Sequence, residues 1–182
     1  MEDRRYRILD SPTGPFYLAT DDDGRIRTGW LAMFASTNAG PRSRADLGIE
    51  DPDLLPELCH RLLDAMIGGP STFDDVEIHP GTPFQRSIWR ATRRIAPGSV
   101  RTYGELALAV GRPGAARAVG QAMRRNPQPI ITPCHRVVSS ADIGGFGGQS
   151  GRGTGLAIKD QLLGAEGVAN VHSALVLRQT RG

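Results

Sequence analysis

Residues 102–125, TYGELALAVGRPGAARAVGQAMRR, decide the fold of the C-terminal half of this chain. Thr102 and Glu105 have the spacing of a capping box, in which two side chains bond each other's backbone N–H groups where a helix begins. Residues 111–114 predict a turn, and residues 115–125 predict a second helix. Two short helices joined by a four-residue turn indicate a helix-turn-helix.

The second predicted helix combines small side chains with positive charge. Small residues alone suit a helix that packs closely against its neighbours in a core. The arginines favour another interpretation, because a slim cationic helix can approach a nucleic-acid groove closely. The small residues are Ala115, Ala116, Ala118, Gly120 and Ala122, and the arginines are Arg117, Arg124 and Arg125.

Residues 131–138, ITPCHRVV, contain a candidate nucleophile. A cysteine thiol is mostly protonated at neutral pH, so a nucleophilic cysteine needs a proton acceptor and a positive local field. His135 and Arg136, beside Cys134, are groups of the right type for both tasks. The only other cysteine, Cys59, lies among leucines at helical spacing, which predicts a small core residue.

Charge divides the chain into two halves. Residues 1–80 hold 8 Arg against 15 Asp or Glu, whereas residues 81–182 hold 14 Lys or Arg against 4 Asp or Glu. An ordinary solvated surface mixes the two signs, so the basic excess around Cys134 favours a polyanionic partner such as nucleic acid. Arginine supplies all but one of the positive charges, and it binds phosphate well, although a GC-rich genome also enriches it.

Length and composition exclude several classes of protein. A chain of 182 residues suffices for one or two domains with a real core. Two cysteines far apart give no disulfide framework, and four scattered histidines lack the spacing of zinc ligands, so we predict no metal and no cofactor. The N-terminus lacks the apolar stretch of a signal peptide, and no segment is long enough to span a membrane. We therefore predict a cytoplasmic protein that does not bind membranes.

The remaining sequence predicts two domains and a tail. Three apolar runs typical of strands, followed by a helix, indicate a small α/β domain that ends near residue 80. Thr82 and Pro83 then predict the N-cap and first residue of a helix. The predicted strands are residues 6–9, 16–19 and 26–31, and the other predicted helices are residues 53–67, 84–95 and 156–163. The predicted units are residues 1–80, 81–168 and 169–182.

These motifs together resemble the O6-alkylguanine-DNA alkyltransferases. The resemblance is carried by residues 126–138 (NPQPIITPCHRVV), preceded by TYGE at 102–105 and GAARAVG at 114–120, and this combination is highly specific. It covers about residues 83–167, and residues 10–15 (DSPTGP) are similar to the start of bacterial members. It implies a mixed α/β fold, with a ribonuclease-H-like N-terminal domain of sheet and helix and a winged-helix-like C-terminal domain.

The resemblance also implies direct repair of DNA. Members of the family move the alkyl group from guanine O6 irreversibly to a cysteine, so each molecule acts once. For this chain the implied acceptor is Cys134. The implied partner is double-stranded DNA containing O6-alkylguanine, bound at the minor groove by a monomer. The sequence leaves open which alkyl lengths are accepted and whether O4-alkylthymine is repaired.

Five residues match catalytic positions of the family. His135 is expected to act on Cys134 through a water molecule, and Glu166 is expected to orient the histidine, in a chain analogous to a hydrolase triad. By sequence alone, a solvent-facing carboxylate at a helix end is the better interpretation of Glu166, and the family resemblance reverses that preference. Tyr103 is expected to donate to the departing guanine, or else to pack on the core. Asn126 is expected to brace the turn before the cysteine segment, which is compatible with an ordinary Asx-turn.

The resemblance assigns Arg117 to the gap that a flipped base leaves, because a base inside a duplex must leave the stack before its O6 substituent can be attacked. The other expected DNA-binding residues are Ala115, Ala116, Gly120, Thr102 and Arg124. The expected pocket residues are Met123, Pro129, Val137, Val138, Phe146 and Gly147. Each pocket residue taken singly also suits plain core packing.

Two features depart from the family, and two other functions compete with repair. Phe146 stands where many members carry tyrosine, and the glycine-rich loop is a few residues longer through residues 149–154. A cysteine hydrolase using Cys134 and His135 is one alternative, but it leaves the basic helix without a purpose. A protein that only binds alkyl damage is the other, and the presence of Cys134 argues against it.

Overall fold

The N-terminal half is built on a small sheet. The computed structural model describes residues 4–34, 41–146, 153–168 and 170–171. Strands β1 (Arg5–Ser11), β2 (Gly14–Thr20) and β3 (Ile26–Trp30) form the predicted antiparallel meander. Strand β4 (Ile49–Glu50) pairs in parallel with β1, so the strand order is β3-β2-β1-β4. The sequence analysis missed β4 because two exposed residues show no alternation of apolar and polar side chains.

Successive side chains of β2 face opposite sides of this sheet. Phe16 and Leu18 pack into the main core, whereas Tyr17 lies in a smaller apolar cluster. Helix α1 (Pro56–Met66) packs its apolar side against the main core and buries Cys59 there, as predicted. The sheet and α1 thus enclose one apolar layer between them.

Helix α1 begins later than the residue 53 that the sequence predicted. Leu55 adopts a left-handed conformation with φ at 46°, directly before Pro56. A proline disfavours helical backbone in the residue before it, so the helix cannot extend in the N-terminal direction past this point.

The C-terminal half is mainly helical. Its helices in the described chain are α2 (Pro83–Arg93), α3 (Tyr103–Ala109), α4 (Ala116–Arg124) and α5 (Thr154–Ala165). Thr82 caps α2 as predicted, because its Oγ1 accepts a hydrogen bond from the Gln85 N–H at 3.2 Å. The predicted capping box of α3 is also present, with Thr102 Oγ1 accepting from the Glu105 N–H at 3.1 Å. Helices α3 and α4 form the predicted helix-turn-helix.

Helix α4 rests on α2. The Trp89 Nε1–H of α2 donates to the Ala122 carbonyl of α4 at 3.0 Å. Val119, Ala122 and Met123 are the buried side chains of α4. The arginines and most of the small residues of α4 therefore remain on its outer face.

A short parallel pair connects the cysteine segment to the start of α3. Strand β5 (Arg101–Thr102) pairs with β6 (Val137–Val138), and a 3₁₀ turn, Cys134–Arg136, leads directly into β6. The sequence analysis did not predict this pairing, since strands of two residues have no readable pattern. It places Cys134 near Tyr103, the first residue of α3.

The two halves share one apolar core. The main cluster contains Leu9 and Trp30 from the sheet together with Ile88 and Ile131 from the C-terminal half. The mixed α/β class predicted from the sequence is confirmed. The division near residue 80 stays a prediction.

Candidate active site

Cys134 lines a pocket between the sheet and the C-terminal helices. Its side chain is 8% exposed. Among the described lining residues, the predicted pocket residues Met123, Pro129 and Phe146 lie with Cys134 on the C-terminal side. The opposite wall, which the sequence analysis missed, comes from the sheet and the segment after it: Tyr17, Thr28, Trp30, Met33 and Phe34.

Two other predicted pocket residues lie elsewhere. Val137 and Val138 are completely buried, and neither is among the described residues that line this pocket. Val138 packs in a separate cluster with Val100 and Leu163, whereas Val137 packs in the main core. Gly147 and residues 149–152 of the glycine-rich loop lie outside the described residues.

Asn126 braces the loop that leads to the cysteine. Its Nδ2–H donates to the Thr132 carbonyl at 2.8 Å, and its Oδ1 accepts from the Gln128 N–H at 3.0 Å. The second contact is the Asx-turn that the sequence suggested. The first spans the loop and fixes the residue two positions before Cys134.

The same loop contains a strained residue. Ile130 is buried and has φ at 72°, a conformation that β-branched residues rarely adopt. A backbone hydrogen bond from the Thr132 N–H to the Gln128 carbonyl, at 2.7 Å, closes the turn around it. The strain shows that the surrounding contacts, and not local preference, determine the path of the chain to Cys134.

Gln128 fastens this loop to the rest of the protein. Its side chain is almost fully buried, and its Nε2–H groups donate to the Ile26 carbonyl at 3.1 Å and the Glu77 carbonyl at 3.0 Å. Its Oε1 accepts from Arg93 Nη2 at 3.0 Å. Thr28 of β3 adds a hydrogen bond from Oγ1 to the Pro129 carbonyl at 2.8 Å. The sheet therefore holds the cysteine loop in place and also forms one wall of the pocket.

Glu166 is buried between a histidine and an arginine. The His135 Nε2 lies 2.9 Å from Glu166 Oε1, and Arg136 donates from Nη2 to the same oxygen at 2.8 Å. Only 1% of the Glu166 side chain is exposed, so it is not the solvent-facing helix-end carboxylate that the sequence allowed. Burial alone would raise the pKa of Glu166, but the hydrogen bonds from His135 and Arg136 outweigh it and lower that pKa to about 2.

The contact with Glu166 determines which nitrogen of His135 can act as a base. An ionised carboxylate only accepts hydrogen bonds, so the proton of a neutral His135 lies on Nε2. The other nitrogen, Nδ1, is buried and has no hydrogen-bond partner among the described residues. Burial lowers the pKa of His135, while Glu166 opposes that shift. The histidine is therefore a neutral base with a lone pair on Nδ1.

Lys159 is the functional candidate that the sequence analysis missed. Its side chain, in α5, is completely buried, and its Nζ donates to the Val137 carbonyl at 2.6 Å and the Gly145 carbonyl at 3.3 Å. Burial lowers the pKa of Lys159 to about 8, whereas the charge of Cys134 acts in the opposite direction. The sequence did contain a feature that could have identified Lys159. It is the only lysine in a chain with 22 basic residues, and it interrupts an apolar helix.

Cys134 itself is a thiol in the resting protein. Burial raises its pKa, and a hydrogen bond with the Asn126 side chain and the nearby positive charge of Lys159 oppose this shift. The site therefore supplies two groups that stabilise a thiolate once a proton leaves.

Tyr103 binds the same backbone carbonyl as Lys159. Its hydroxyl donates to the Gly145 carbonyl at 3.4 Å. Burial raises the pKa of Tyr103 to about 12, and the charge of Cys134 contributes in the same direction. The phenol is thus neutral at physiological pH and can donate a hydrogen bond.

Five of the six predicted DNA-binding residues belong to α4 or its N-cap. Arg117 and Arg124 are exposed, and Ala115, Ala116 and Gly120 are partly exposed. An added Cβ on Gly120 would meet nothing within 4 Å, so space outside this face of the helix is open. Thr102 serves as the N-cap of α3 and is partly exposed.

Within residues 4–34, 41–146, 153–168 and 170–171, no three His, Cys, Asp or Glu side chains form a group able to hold a metal ion. None of the helices in these ranges has the length and apolar character that crossing a bilayer requires.

Comparison with known proteins gives a consistent result. A family model described as 6-O-methylguanine DNA methyltransferase, DNA binding domain, matches residues 83–168. A methylated-DNA--protein-cysteine methyltransferase of Methanosarcina acetivorans is 40% identical over 163 residues, which are 89% of this chain and 97% of that protein. The crystal structure of Mycobacterium tuberculosis O6-methylguanine methyltransferase superposes with a TM-score of 0.72 and 35% identity, covering 95% of this chain and 99% of the other.

One similar structure includes DNA. The crystal structure of Mycobacterium tuberculosis OGT in complex with DNA has a TM-score of 0.71 and 36% identity to this chain, covering 90% of this chain and 93% of that one. The match over nearly the whole length of both proteins includes the sheet domain as well as the helix-turn-helix. This chain therefore belongs to the methylated-DNA--protein-cysteine methyltransferase family.

Proposed function

We propose that this protein repairs DNA by moving a methyl or other alkyl group from O6 of guanine to Sγ of Cys134. An S–C bond forms while the O6–C bond breaks. The thiol loses one proton and the departing guanine gains one, so the reaction needs no co-reactant and no cofactor. The product is a thioether that no group of the site can cleave, so each molecule acts once. The observation that carries the proposal is the buried His135–Glu166 pair beside a cysteine that lines a pocket.

His135 takes the proton of the thiol in this proposal. The neutral imidazole presents Nδ1 as its acceptor, and a water molecule relays the proton because neighbouring side chains in a 3₁₀ turn point in different directions. Glu166, ionised through its contacts with Arg136, stabilises the imidazolium that forms. Lys159 stabilises the thiolate electrostatically.

Tyr103 stabilises the leaving group. Guanine must take up negative charge or a proton as the carbon departs. The Tyr103 phenol remains protonated at neutral pH and can supply that hydrogen bond. Phe146 packs edge-on against Trp30, with ring centroids 5.6 Å apart, so this residue shapes the pocket wall and adds no hydroxyl to it.

Helix α4 binds the DNA beside the damaged base. The small residues Ala115, Ala116 and Gly120 allow close approach to the minor groove, and Arg117 fills the space that the flipped guanine leaves. Minor-groove edges carry little sequence information, which suits repair in any sequence. We expect the protein to act in the cytoplasm, as its sequence predicts, and as a monomer, as the family resemblance implies.

Intact-mass measurement tests the transfer. The protein is mixed with an excess of duplex DNA containing one O6-methylguanine, and with the same duplex unmethylated as a control. We expect a gain of one methyl group per protein and no further turnover. Repeated turnover indicates a hydrolase, and tight binding without a mass change indicates a protein that only binds damage, so either result contradicts the proposal.

Replacement of Arg117 by Ala tests base flipping. Flipping costs a few kcal/mol only in a duplex, so we expect transfer from duplex DNA to slow about 100-fold, with transfer from free O6-methylguanine unchanged. Single-turnover rates on both substrates measure this. Equal losses on the two substrates would contradict the assigned role.

A further inference from the structure

The outer face of α2 carries a row of arginines that the repair reaction does not use. Arg86, Arg90 and Arg94 are four residues apart, so they project from one face of the helix and its C-terminal cap. Arg90 and Arg94 are exposed, and Arg86 is partly exposed. These three residues are called the α2 arginine row below.

The α2 arginine row faces away from α4. Ile88, Trp89 and Thr92 are the buried residues of α2, and Trp89 bonds the backbone of α4. With 3.6 residues per turn, the row lies on the side of α2 opposite to these three residues. A duplex on the outer face of α4 is therefore separated from the row by the thickness of two helices, about 20 Å.

Ordinary helix electrostatics does not account for the row. Cations are favourable near a helix C-terminus, which fits Arg90 and Arg94, but Arg86 lies in the first turn, where a cation is unfavourable. Like charges four residues apart also repel each other, and α2 contains no Asp or Glu to relieve this. None of the three forms an ion pair with any residue that the structure describes.

The row borders a surface groove with an excess of positive charge. Arg25 and Arg93 line the same groove, and the acidic groups that line it are Asp74 and Glu77. Arg93 donates hydrogen bonds to backbone carbonyls and to Gln128, and Arg25 forms an ion pair with Asp23. Within the described residues, the one side-chain hydrogen bond of the row runs from Arg86 Nη1 to the Gly81 carbonyl at 2.7 Å, so its guanidinium groups are available to bind an external anion.

We propose that the α2 arginine row binds the phosphate backbone of a second DNA duplex while α4 holds the first. A rise of 1.5 Å per residue spreads the row over about 12 Å, and one DNA strand presents a phosphate about every 3.4 Å along the duplex axis, so several phosphates lie within reach. Guanidinium groups match phosphate oxygens in bidentate geometry. A protein that binds a second duplex before it releases the first can move directly between duplexes. Such movement suits a protein that must search mostly undamaged DNA for rare lesions.

Competitor-induced release tests the second duplex site. A fluorescently labelled, undamaged duplex is bound to the protein, and its dissociation rate is measured against increasing concentrations of an unlabelled duplex. For the native chain we expect the rate to rise with competitor concentration, because the second duplex binds before the first leaves. In Arg90→Gln/Arg94→Gln, we expect the slope of this dependence to fall about tenfold, since two phosphate contacts are lost.

A matched control removes the same charge elsewhere. Arg4 and Arg5 pair with Asp22 and Asp51 in the sheet domain, and Arg4→Gln/Arg5→Gln should keep the native slope. Both double variants should transfer a methyl group to Cys134 at the native rate on a single short duplex, which separates this test from that of the repair reaction. A native rate that does not depend on competitor, or an equal slope in all three proteins, overturns the proposal and leaves an acidic protein partner as the occupant to test.

Discussion

The surroundings of the two cysteines differ far more than their sequences do. Cys59 and Cys134 are both buried in the main core, each is followed by a histidine, and burial raises the pKa of both thiols. His60, however, is exposed on α1, whereas His135 is buried against Glu166. The reactivity that we propose for Cys134 therefore depends on the polar groups that the fold assembles around it, and not on a histidine beside a cysteine in the sequence.

The contacts of the two sulfur atoms show the same difference. The Cys59 Sγ–H donates to the Leu54 carbonyl at 3.4 Å, in the segment just before α1. Cys134 meets Asn126 from the preceding loop and the charge of Lys159 from α5. Arg7 of β1 also opposes the rise in the pKa of Cys59, so the difference is that Cys134 has the buried His135–Glu166 pair beside it in addition to Asn126 and Lys159.

Removing each sulfur gives the largest contrast. We expect Cys134→Ser to abolish methyl transfer, because a serine hydroxyl is far less acidic than a thiol, while Cys59→Ser keeps full transfer. Intact mass after incubation with methylated duplex DNA measures both. A methyl adduct on Cys134→Ser, or its loss in folded Cys59→Ser, would overturn the assignment of the acceptor.

Neutralising Glu166 is expected to have the next largest effect. Glu166→Gln keeps the shape of the side chain but removes the charge that stabilises the imidazolium, so we expect transfer to slow about 100-fold. Single-turnover rates measure the loss. Because the substitution leaves Arg136 buried beside a neutral group, circular dichroism is needed to show that the variant folds.

The pH dependence of Glu166→Gln separates catalysis from structural damage. A base acts above its pKa, and burial lowers the pKa of His135, so the native rate should fall only below about pH 6.5. Glu166 raises the pKa of His135, and its loss should therefore move this acid limb to still lower pH. An unchanged limb would show that Glu166 does not act through the histidine.

Replacement of Lys159 by Met is expected to have a smaller effect on the rate. Without the cation, the pKa of Cys134 should rise further, so we expect transfer near neutral pH to slow about tenfold and the rate profile to shift to higher pH. Transfer from free O6-methylguanine as a function of pH measures this without involving DNA binding. Lys159→Arg serves as the comparison that keeps the charge, and a profile equal to the native one in Lys159→Met would exclude the electrostatic role.

Cys59→Ala should show the smallest effect and complete the contrast. The substitution removes one buried sulfur and leaves a small cavity, so we expect the free energy of unfolding to fall by about 1 kcal/mol. Urea denaturation measures this change. The transfer rate should remain native, and a tenfold loss of rate would show that the α1 core is coupled to the acceptor.

The local elements of this protein were predictable because their signals lie within a few residues. The capping box of α3, the N-cap at Thr82 and the meander of β1 to β3 each depend on neighbouring side chains, and all are present. Element boundaries were less certain: Pro56 displaced the start of α1, and the two-residue strands β4, β5 and β6 carry no pattern of their own.

The sequence by itself determined the acceptor motif, the helix-turn-helix and the family, since these depend on side chains close together in the chain. Only the tertiary structure decided the environment of the acceptor. Glu166 lies 31 residues from His135, and Lys159 was hidden in an apolar helix. Two further features arise only when distant segments pack together. One is the pocket wall that the sheet forms, and the other is the strained turn at Ile130. Burial and electrostatics act through space, so the acceptor role that we propose for Cys134 depends on the base, the carboxylate and the cation that the fold brings around it.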